Sequence, residues 1–75
     1  ELAPIIRVNC ITPGVIDTPM NACFTESEMQ DIISEIPLGR IGKPLEVATL
    51  CEFLASENAK YITGAIIPID GGYSL

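Results

Sequence analysis

Two short apolar stretches rich in β-branched residues lie near opposite ends of the chain, and they constrain its fold more than any other feature. Residues 5–12 (IIRVNCIT) are apolar at nearly every position and end at Pro13-Gly14. Such a run is typical of a strand covered on both faces, as in a parallel sheet. Residues 65–69 (AIIPI) predict a second strand. Because Pro68 cannot donate a ladder hydrogen bond, we expect this strand at a sheet edge.

A short helix with one apolar stripe is predicted at residues 25–36. Thr25 and Glu28 have the spacing of a capping box, and Pro37 ends the pattern. Apolar residues recur at a helical spacing on one side, while acidic residues occupy another face that we expect to be solvated. The apolar residues are Met29, Ile32, Ile33 and Ile36.

A second helix is predicted at residues 44–56, where Pro44 takes a favourable first position and Glu46 lies in the first turn. With Leu45 and Phe53 included, this helix is apolar around most of its circumference. The sheet can cover only one of its faces. We therefore expect another surface to cover the rest.

The order of these elements defines the fold class. Residues 1–4 are expected to end a preceding helix at Pro4, and strand, short helix, long helix and strand then follow. A strand, a helical crossover and a second strand form one βαβ unit, so the chain is predicted to be α/β with a parallel sheet. Its 75 residues are 48% hydrophobic, more than a body of this size readily covers, which predicts part of a larger core.

Charge and composition exclude several functions. The formal net charge is −6 and the 4 basic residues form no stripe, so neither nucleic acid nor an anionic membrane surface is an expected partner. No apolar stretch reaches the roughly 20 residues of a spanning helix. The 3 cysteines are widely spaced and histidine is absent, so we expect no metal site and no histidine-dependent triad. Free thiols of this kind indicate a cytoplasmic protein.

A series of short motifs runs through the chain in a fixed order. They are IRVN at 6–9, PGVIDTPM at 13–20, IPLGR at 36–40, KPLEVA at 43–48, FLAS at 53–56, YITG at 61–64 and DGG at 70–72. Together they resemble the C-terminal third of the classical short-chain dehydrogenases/reductases, with 3-oxoacyl-[acyl-carrier-protein] reductases as the closest likeness. The resemblance implies the C-terminal βαβ portion of a Rossmann-like, doubly wound parallel sheet. It also implies hydride transfer between NADP (or NAD) and a carbonyl, here a 3-oxoacyl thioester of fatty acid synthesis.

The resemblance assigns roles within residues 13–24, the cofactor and substrate loop. This loop follows the carboxyl end of a strand, where open α/β sheets bind ligands. Backbone groups would hydrogen-bond the nicotinamide carboxamide, and a threonine hydroxyl would hold the carboxamide or the pyrophosphate. Residues 21–36, which include the predicted helix 25–36, would form a mobile lid over the substrate. The assigned cofactor residues are Pro13 and Gly14 at the turn, Val15 and Ile16 through their backbone, and Thr18 through its hydroxyl.

The residues that catalyse the family's reaction do not occur in this sequence. The family's general acid is a Tyr followed four residues later by a Lys, but Tyr61 has Ala65 at that position. The 6 glycines form no pyrophosphate-binding pattern. The resemblance therefore predicts that the acid pair and the pyrophosphate loop lie upstream of residue 1. Asp17 and Asp70 are interpreted as turn residues rather than acids.

Two alternative functions remain open. Acyl carrier protein is acidic, and so is the lid, so a family member that acts on a free ketone or a secondary alcohol is kept as an alternative. For the chain by itself, a non-catalytic oligomerisation segment is the other alternative. The resemblance implies a homotetramer, and the exposed helix and edge strand predict a two-fold contact through residues 44–56 and 65–75.

Overall fold

The computed structural model describes residues 6–74 and contains a two-stranded parallel sheet. Strand β1 spans Cys10–Pro13 and strand β2 spans Ile66–Ile69. In register, Cys10 lies beside Ile66 and Pro13 lies beside Ile69. The helices lie between the two strands in the sequence, so the predicted α/β class with parallel pairing is confirmed.

Strand β1 begins later than the predicted strand 5–12, because a side chain replaces the first ladder bonds. The Asn9 Nδ2 donates to the carbonyl of Ile62 at 3.1 Å, and its Oδ1 accepts from the N–H of Ala65 at 3.0 Å. Regular main-chain pairing starts only at Cys10. Strand β2 likewise lacks the first residue of the predicted strand.

Helix α1 spans Glu26–Ser34 and follows a 3-10 helix at Pro19–Cys23, inside the predicted loop. Its capping box is confirmed: the Thr25 hydroxyl accepts from the N–H of Glu28 at 3.1 Å, and the Glu28 carboxylate accepts from the N–H of Thr25 at 2.8 Å. The helix ends before the predicted boundary at residue 36. A residue that precedes a proline disfavours the helical conformation, and Ile36 precedes Pro37.

Helix α2 spans Pro44–Ala55, one residue less than predicted. Ser56 leaves the helix because its hydroxyl accepts from the N–H of Asn58 at 3.2 Å and caps a 3-10 helix at Glu57–Ala59. Leu54 is buried, whereas Leu45 and Phe53 are 73% and 42% exposed. The described residues therefore cover one side of α2 and leave the other uncovered.

The core within residues 6–74 is small and consists of Ile36, Leu54 and Ala59. Many large apolar side chains are exposed within residues 6–74. They are Ile6, Val8, Met20, Phe24, Leu38, Leu45, Phe53, Tyr61, Ile66 and Tyr73. None of the helices in residues 6–74 has the length and apolar character needed to cross a membrane. The predicted helix end at residues 1–4 lies outside the described residues.

Candidate cofactor site

The chain turns sharply at Gly14, directly after β1. The Gly14 N–H donates to the carbonyl of Ile69 at 3.0 Å. A Cβ placed on Gly14 would lie 2.6 Å from the Cβ of Asp70 and 2.9 Å from its Cα. The turn therefore passes against the backbone that follows β2, at the carboxyl ends of both parallel strands, where α/β sheets bind ligands.

The backbone that follows this turn is held on two sides. The Gly42 N–H donates to the carbonyl of Val15 at 2.9 Å, and the Asp17 N–H donates to the carbonyl of Gly42 at 2.8 Å. The Asn21 Nδ2 donates to the carbonyl of Ile16 at 2.6 Å. The N–H groups of Val15 and Ile16 donate to no acceptor within residues 6–74. Two main-chain donors are thus held in place without a partner in this part of the chain.

A cleft of about 420 Å³ opens beside this backbone. It brings four of the five predicted cofactor residues together with the segment that follows them, α1 and the C-terminal turn. Its lining residues are Gly14, Val15, Ile16, Thr18, Met20, Asn21, Phe24, Ile32, Glu35 and Tyr73. Pro13 does not line it, because Pro13 is the last residue of β1 and pairs with Ile69 instead of belonging to the loop.

Thr18 lies at the start of the 3-10 helix without capping it. Its side chain makes no capping hydrogen bond, and it is half-buried in the wall of the cleft. Its hydroxyl therefore does not cap the 3-10 helix that follows. A half-buried hydroxyl near two N–H groups that have no acceptor within the described part of the chain suits a planar amide, which needs both donors and acceptors.

Sequence reasoning did not find the far wall of the cleft. The Tyr73 hydroxyl donates to the Glu35 carboxylate at 3.3 Å, so the C-terminal turn reaches the end of α1. Phe24 and Ile32 add apolar surface to the same cleft. Tyr73 and Glu35 are far apart in the sequence, and no local pattern links them. Only the tertiary fold could reveal this contact.

Three charged groups within residues 6–74 have clearly shifted pKa values, namely Arg40, Glu46 and Asp70. The hydrogen bond with Glu46 raises the pKa of Arg40. Hydrogen bonds from the Arg40 guanidinium and then from the Lys43 N–H lower the pKa of Glu46 to about 2. The Ser74 side chain and the Gly72 N–H, in that order, lower the pKa of Asp70. The backbone bonds of Asp70 confirm its interpretation as a turn residue.

Neither the described residues nor their thiols suggest metal chemistry. Within residues 6–74, no group of three His, Cys, Asp or Glu side chains is placed to hold a metal ion. Cys10, Cys23 and Cys51 are free and exposed. The cleft offers main-chain donors and an apolar wall, together with the polar side chains of Thr18, Asn21, Glu35 and Tyr73.

Comparison with known proteins identifies the family. A family model described as enoyl-(acyl carrier protein) reductase matches residues 1–74. An uncharacterised oxidoreductase of Bacillus subtilis, YmfI, is 50% identical over 74 residues, which is 97% of this chain and 31% of that protein. The 3-oxoacyl-[acyl-carrier-protein] reductase FabG of Thermotoga maritima is 52% identical over 67 residues, 89% of this chain and 27% of that protein. A Sphingobium indicum 2,5-dichloro-2,5-cyclohexadiene-1,4-diol dehydrogenase, LinX, is 46% identical over 70 residues, 93% of this chain and 28% of that protein.

Solved structures agree with the sequence matches. A Brucella melitensis short-chain dehydrogenase/reductase, described as a glucose/ribitol dehydrogenase, superposes with a TM-score of 0.90 at 41% identity, over 100% of this chain and 31% of that one. The chain belongs to the short-chain dehydrogenase/reductase family and is close to the 3-oxoacyl-[acyl-carrier-protein] reductases. It spans 27–31% of the length of these curated relatives.

The predicted lid, residues 21–36, does not lie wholly outside the core. Ile36 is 5% exposed, so the end of this segment is anchored. Within α1, by contrast, no residue is buried. We expect the amides of α1 to exchange with solvent well before that of Cys10, whose N–H donates to the carbonyl of Ala65 at 2.8 Å. Equal protection of α1 and β1 in a hydrogen-exchange experiment on the whole protein would argue against a lid.

Proposed function

We propose that the whole protein is a cytoplasmic NADP- or NAD-dependent reductase that converts a 3-oxoacyl thioester into a 3-hydroxyacyl thioester. The observation that carries this proposal is the backbone of Val15 and Ile16 at the carboxyl end of β1, whose N–H groups have no acceptor within residues 6–74. This backbone lines the same cleft as the half-buried Thr18. The bound cofactor would supply the hydride. The neighbouring apolar cleft would receive the substrate.

The residues of this chain would position the cofactor. The N–H groups of Val15 and Ile16 would donate to the nicotinamide carboxamide, and Thr18 would add a hydroxyl that can donate or accept. Fixing the carboxamide fixes which face of the ring meets the substrate, so these contacts orient the reaction. The acid that protonates the carbonyl oxygen would come from a Tyr and Lys pair outside these 75 residues. We accordingly expect no turnover from residues 1–75 alone.

The cleft suits a flexible apolar chain. Met20, Phe24 and Ile32 lie along it, whereas Glu35 is the one ionisable carboxylate in its wall. A mainly apolar wall with a few polar groups is typical of small-molecule sites in general. The 52% identity to a 3-oxoacyl-[acyl-carrier-protein] reductase supports the thioester. The 46% identity to the diol dehydrogenase LinX supports the second candidate, a secondary alcohol or free ketone.

A substrate comparison with the whole protein separates the two candidates. Cofactor oxidation would be followed with an acetoacetyl thioester and with a cyclic ketone, and cofactor reduction with a cyclic diol. We expect the thioester to be reduced with the higher kcat/KM, and NADPH to be preferred to NADH. Turnover of the cyclic substrates alone would replace the first candidate by the second. No turnover of any of them would contradict the proposed function.

Replacing Thr18 by alanine should weaken cofactor binding in the whole protein by about 1–2 kcal/mol, the scale of one lost hydrogen bond. The Michaelis constant for the cofactor measures this loss. Thr63→Ala is the matched control, because the Thr63 hydroxyl accepts from the N–H of Val8 at 3.1 Å, away from the cleft. Thr63→Ala should leave the cofactor Michaelis constant unchanged. If the two variants behave alike, the role assigned to Thr18 is wrong.

We further propose that the whole protein is a homotetramer, with a two-fold contact through residues 44–56 and 65–75. The exposed apolar residues of these segments support the contact, and they include Leu45 and Ile66, each 73% exposed. A helix that packs on its own copy would cover such a face in a symmetric interface. Residues 1–75 by themselves would then act as a non-catalytic oligomerisation segment.

A further inference from the structure

The backbone that carries the free donors depends on one residue of the connector between α1 and α2. Gly42 pairs with Ile16 as a parallel bridge. Its N–H donates to the carbonyl of Val15, and its carbonyl accepts from the N–H of Asp17. Gly42 thus holds the residues on both sides of Ile16. Any displacement of Gly42 would move the N–H groups of Val15 and Ile16 with it.

An ion pair joins two residues that lie on either side of Gly42 in the sequence. Arg40 donates from its two terminal guanidinium nitrogens, Nη1 and Nη2, to the two carboxylate oxygens of Glu46, each at 2.9 Å. The same carboxylate accepts from the N–H of Lys43 at 2.9 Å. Glu46 lies in the first turn of α2. Arg40 and Lys43, on either side of Gly42 in the sequence, are therefore both hydrogen-bonded to this helix.

We propose that Arg40 and Glu46 are positioning residues for the cofactor, acting through Gly42 on the backbone of Val15 and Ile16. This inference rests on the proposed function, because it assigns the cofactor to that backbone. The pair touches no reacting atom. Its role is to hold two main-chain donors at fixed positions before the cofactor arrives, which reduces the ordering that binding would otherwise require.

A role in global stability alone is a weaker explanation of this pair. The side chains of Arg40 and Glu46 are 52% and 42% exposed, and exposed ion pairs contribute little to folding. The bidentate geometry nonetheless restrains the connector locally. The depressed pKa of Glu46, about 2, agrees with a carboxylate that stays ionised while its partners are in place. Its contribution is present above the ordinary pKa of 4.5 and is lost as the pH falls toward about 2.

The test is a double-mutant cycle in the whole protein with Arg40→Met, Glu46→Gln and the combined variant. Each variant should raise the cofactor Michaelis constant by roughly threefold to tenfold, the loss expected for one hydrogen bond. The combined variant should resemble either single one, because the pair acts as a unit. Glu57→Gln is the matched control, since Glu57 is exposed and its carboxylate makes no ion pair within residues 6–74.

Simple long-range electrostatics predicts a different pattern. The cofactor is an anion, so loss of the Arg40 charge would weaken its binding, whereas loss of the Glu46 charge would strengthen it. Opposite effects of the two single variants would overturn the proposal. Unchanged Michaelis constants in all variants, or effects that multiply in the combined variant, would overturn it as well.

A second readout is independent of catalysis. In the protein without cofactor, Arg40→Met and Glu46→Gln should speed hydrogen exchange at the N–H groups of Asp17 and Gly42, which close the bridge. Exchange at Cys10 in β1 should not change. If Asp17 and Gly42 exchange as in the parent, the positioning role is excluded. A third outcome is faster exchange in the variants of a protein that binds no nicotinamide cofactor. The ion pair would then restrain the backbone, but the proposed function and the cofactor role of the pair would both be wrong.

Discussion

Replacing Gly14 by alanine should destabilise the whole protein by about 1–3 kcal/mol, the range for forcing one extra methyl group into a packed site. The new Cβ would lie 2.6 Å from the Cβ of Asp70 and 2.9 Å from its Cα. These atoms cannot yield easily, because the Asp70 carboxylate accepts from the N–H groups of Gly72 and Ser74 at 3.0 and 3.2 Å. The loop would have to move away from β2. Denaturant unfolding measures the loss, and cofactor affinity should fall with it.

Gly42→Ala is the matched control for the stability measurement. Its Cβ would meet the Cδ1 of Ile16 at 2.8 Å, which is the end of a flexible side chain, and would meet no backbone atom closer than 3.8 Å. We expect this variant to lose about 1 kcal/mol or less. Equal losses at the two glycines would mean that the tight approach of Gly14 to Asp70 does not limit stability.

Replacing Phe53 by aspartate should split the assembled protein, because an uncompensated buried charge costs about 3 kcal/mol or more at an interface. Phe53 is 42% exposed on the uncovered side of α2, within the proposed two-fold contact. The mass in solution, measured by light scattering, should fall by half or more. Phe53→Leu keeps an apolar side chain and should keep the parent mass. A parent that is a monomer, or an unchanged mass for Phe53→Asp, would place the interface elsewhere.

Local sequence signals predicted the parts of this fold that depend on local physics. The Thr25 and Glu28 capping box forms as predicted, because cap and partner lie within one turn. The apolar stripe of α1 also behaves as expected: Met29, Ile32 and Ile33 are half-buried, and the other residues of the helix are exposed. Periodicity and capping chemistry need no information from the rest of the chain.

The boundaries that were wrong depend on competing local interactions. Asn9 replaces main-chain pairing with side-chain hydrogen bonds, so β1 starts later than its β-branched composition suggests. Pro13 extends β1 because it pairs with Ile69, although a proline next to a glycine predicts a turn. Composition alone does not tell which of two possible hydrogen-bond partners a residue takes.

The candidate site was predictable only along one stretch of sequence. Gly14, Val15, Ile16 and Thr18 are nearly contiguous, so their motif predicted them together, and they line the same cleft. The residues that contact this stretch from other parts of the fold lie far from it in the sequence. Gly42 and Tyr73 reach the site through the tertiary fold, and no periodicity or motif spacing links them to it.

Amide hydrogen exchange of the whole protein, with and without NADPH, tests the proposed cofactor site most directly. The cofactor should slow exchange at Val15 and Ile16, whose N–H groups have no acceptor within residues 6–74. Ala59, which is 1% exposed and remote from the cleft lining, serves as the internal reference and should not change. Slower exchange at both loop amides would support the cofactor site. Cofactor binding that leaves Val15 and Ile16 unprotected would contradict it.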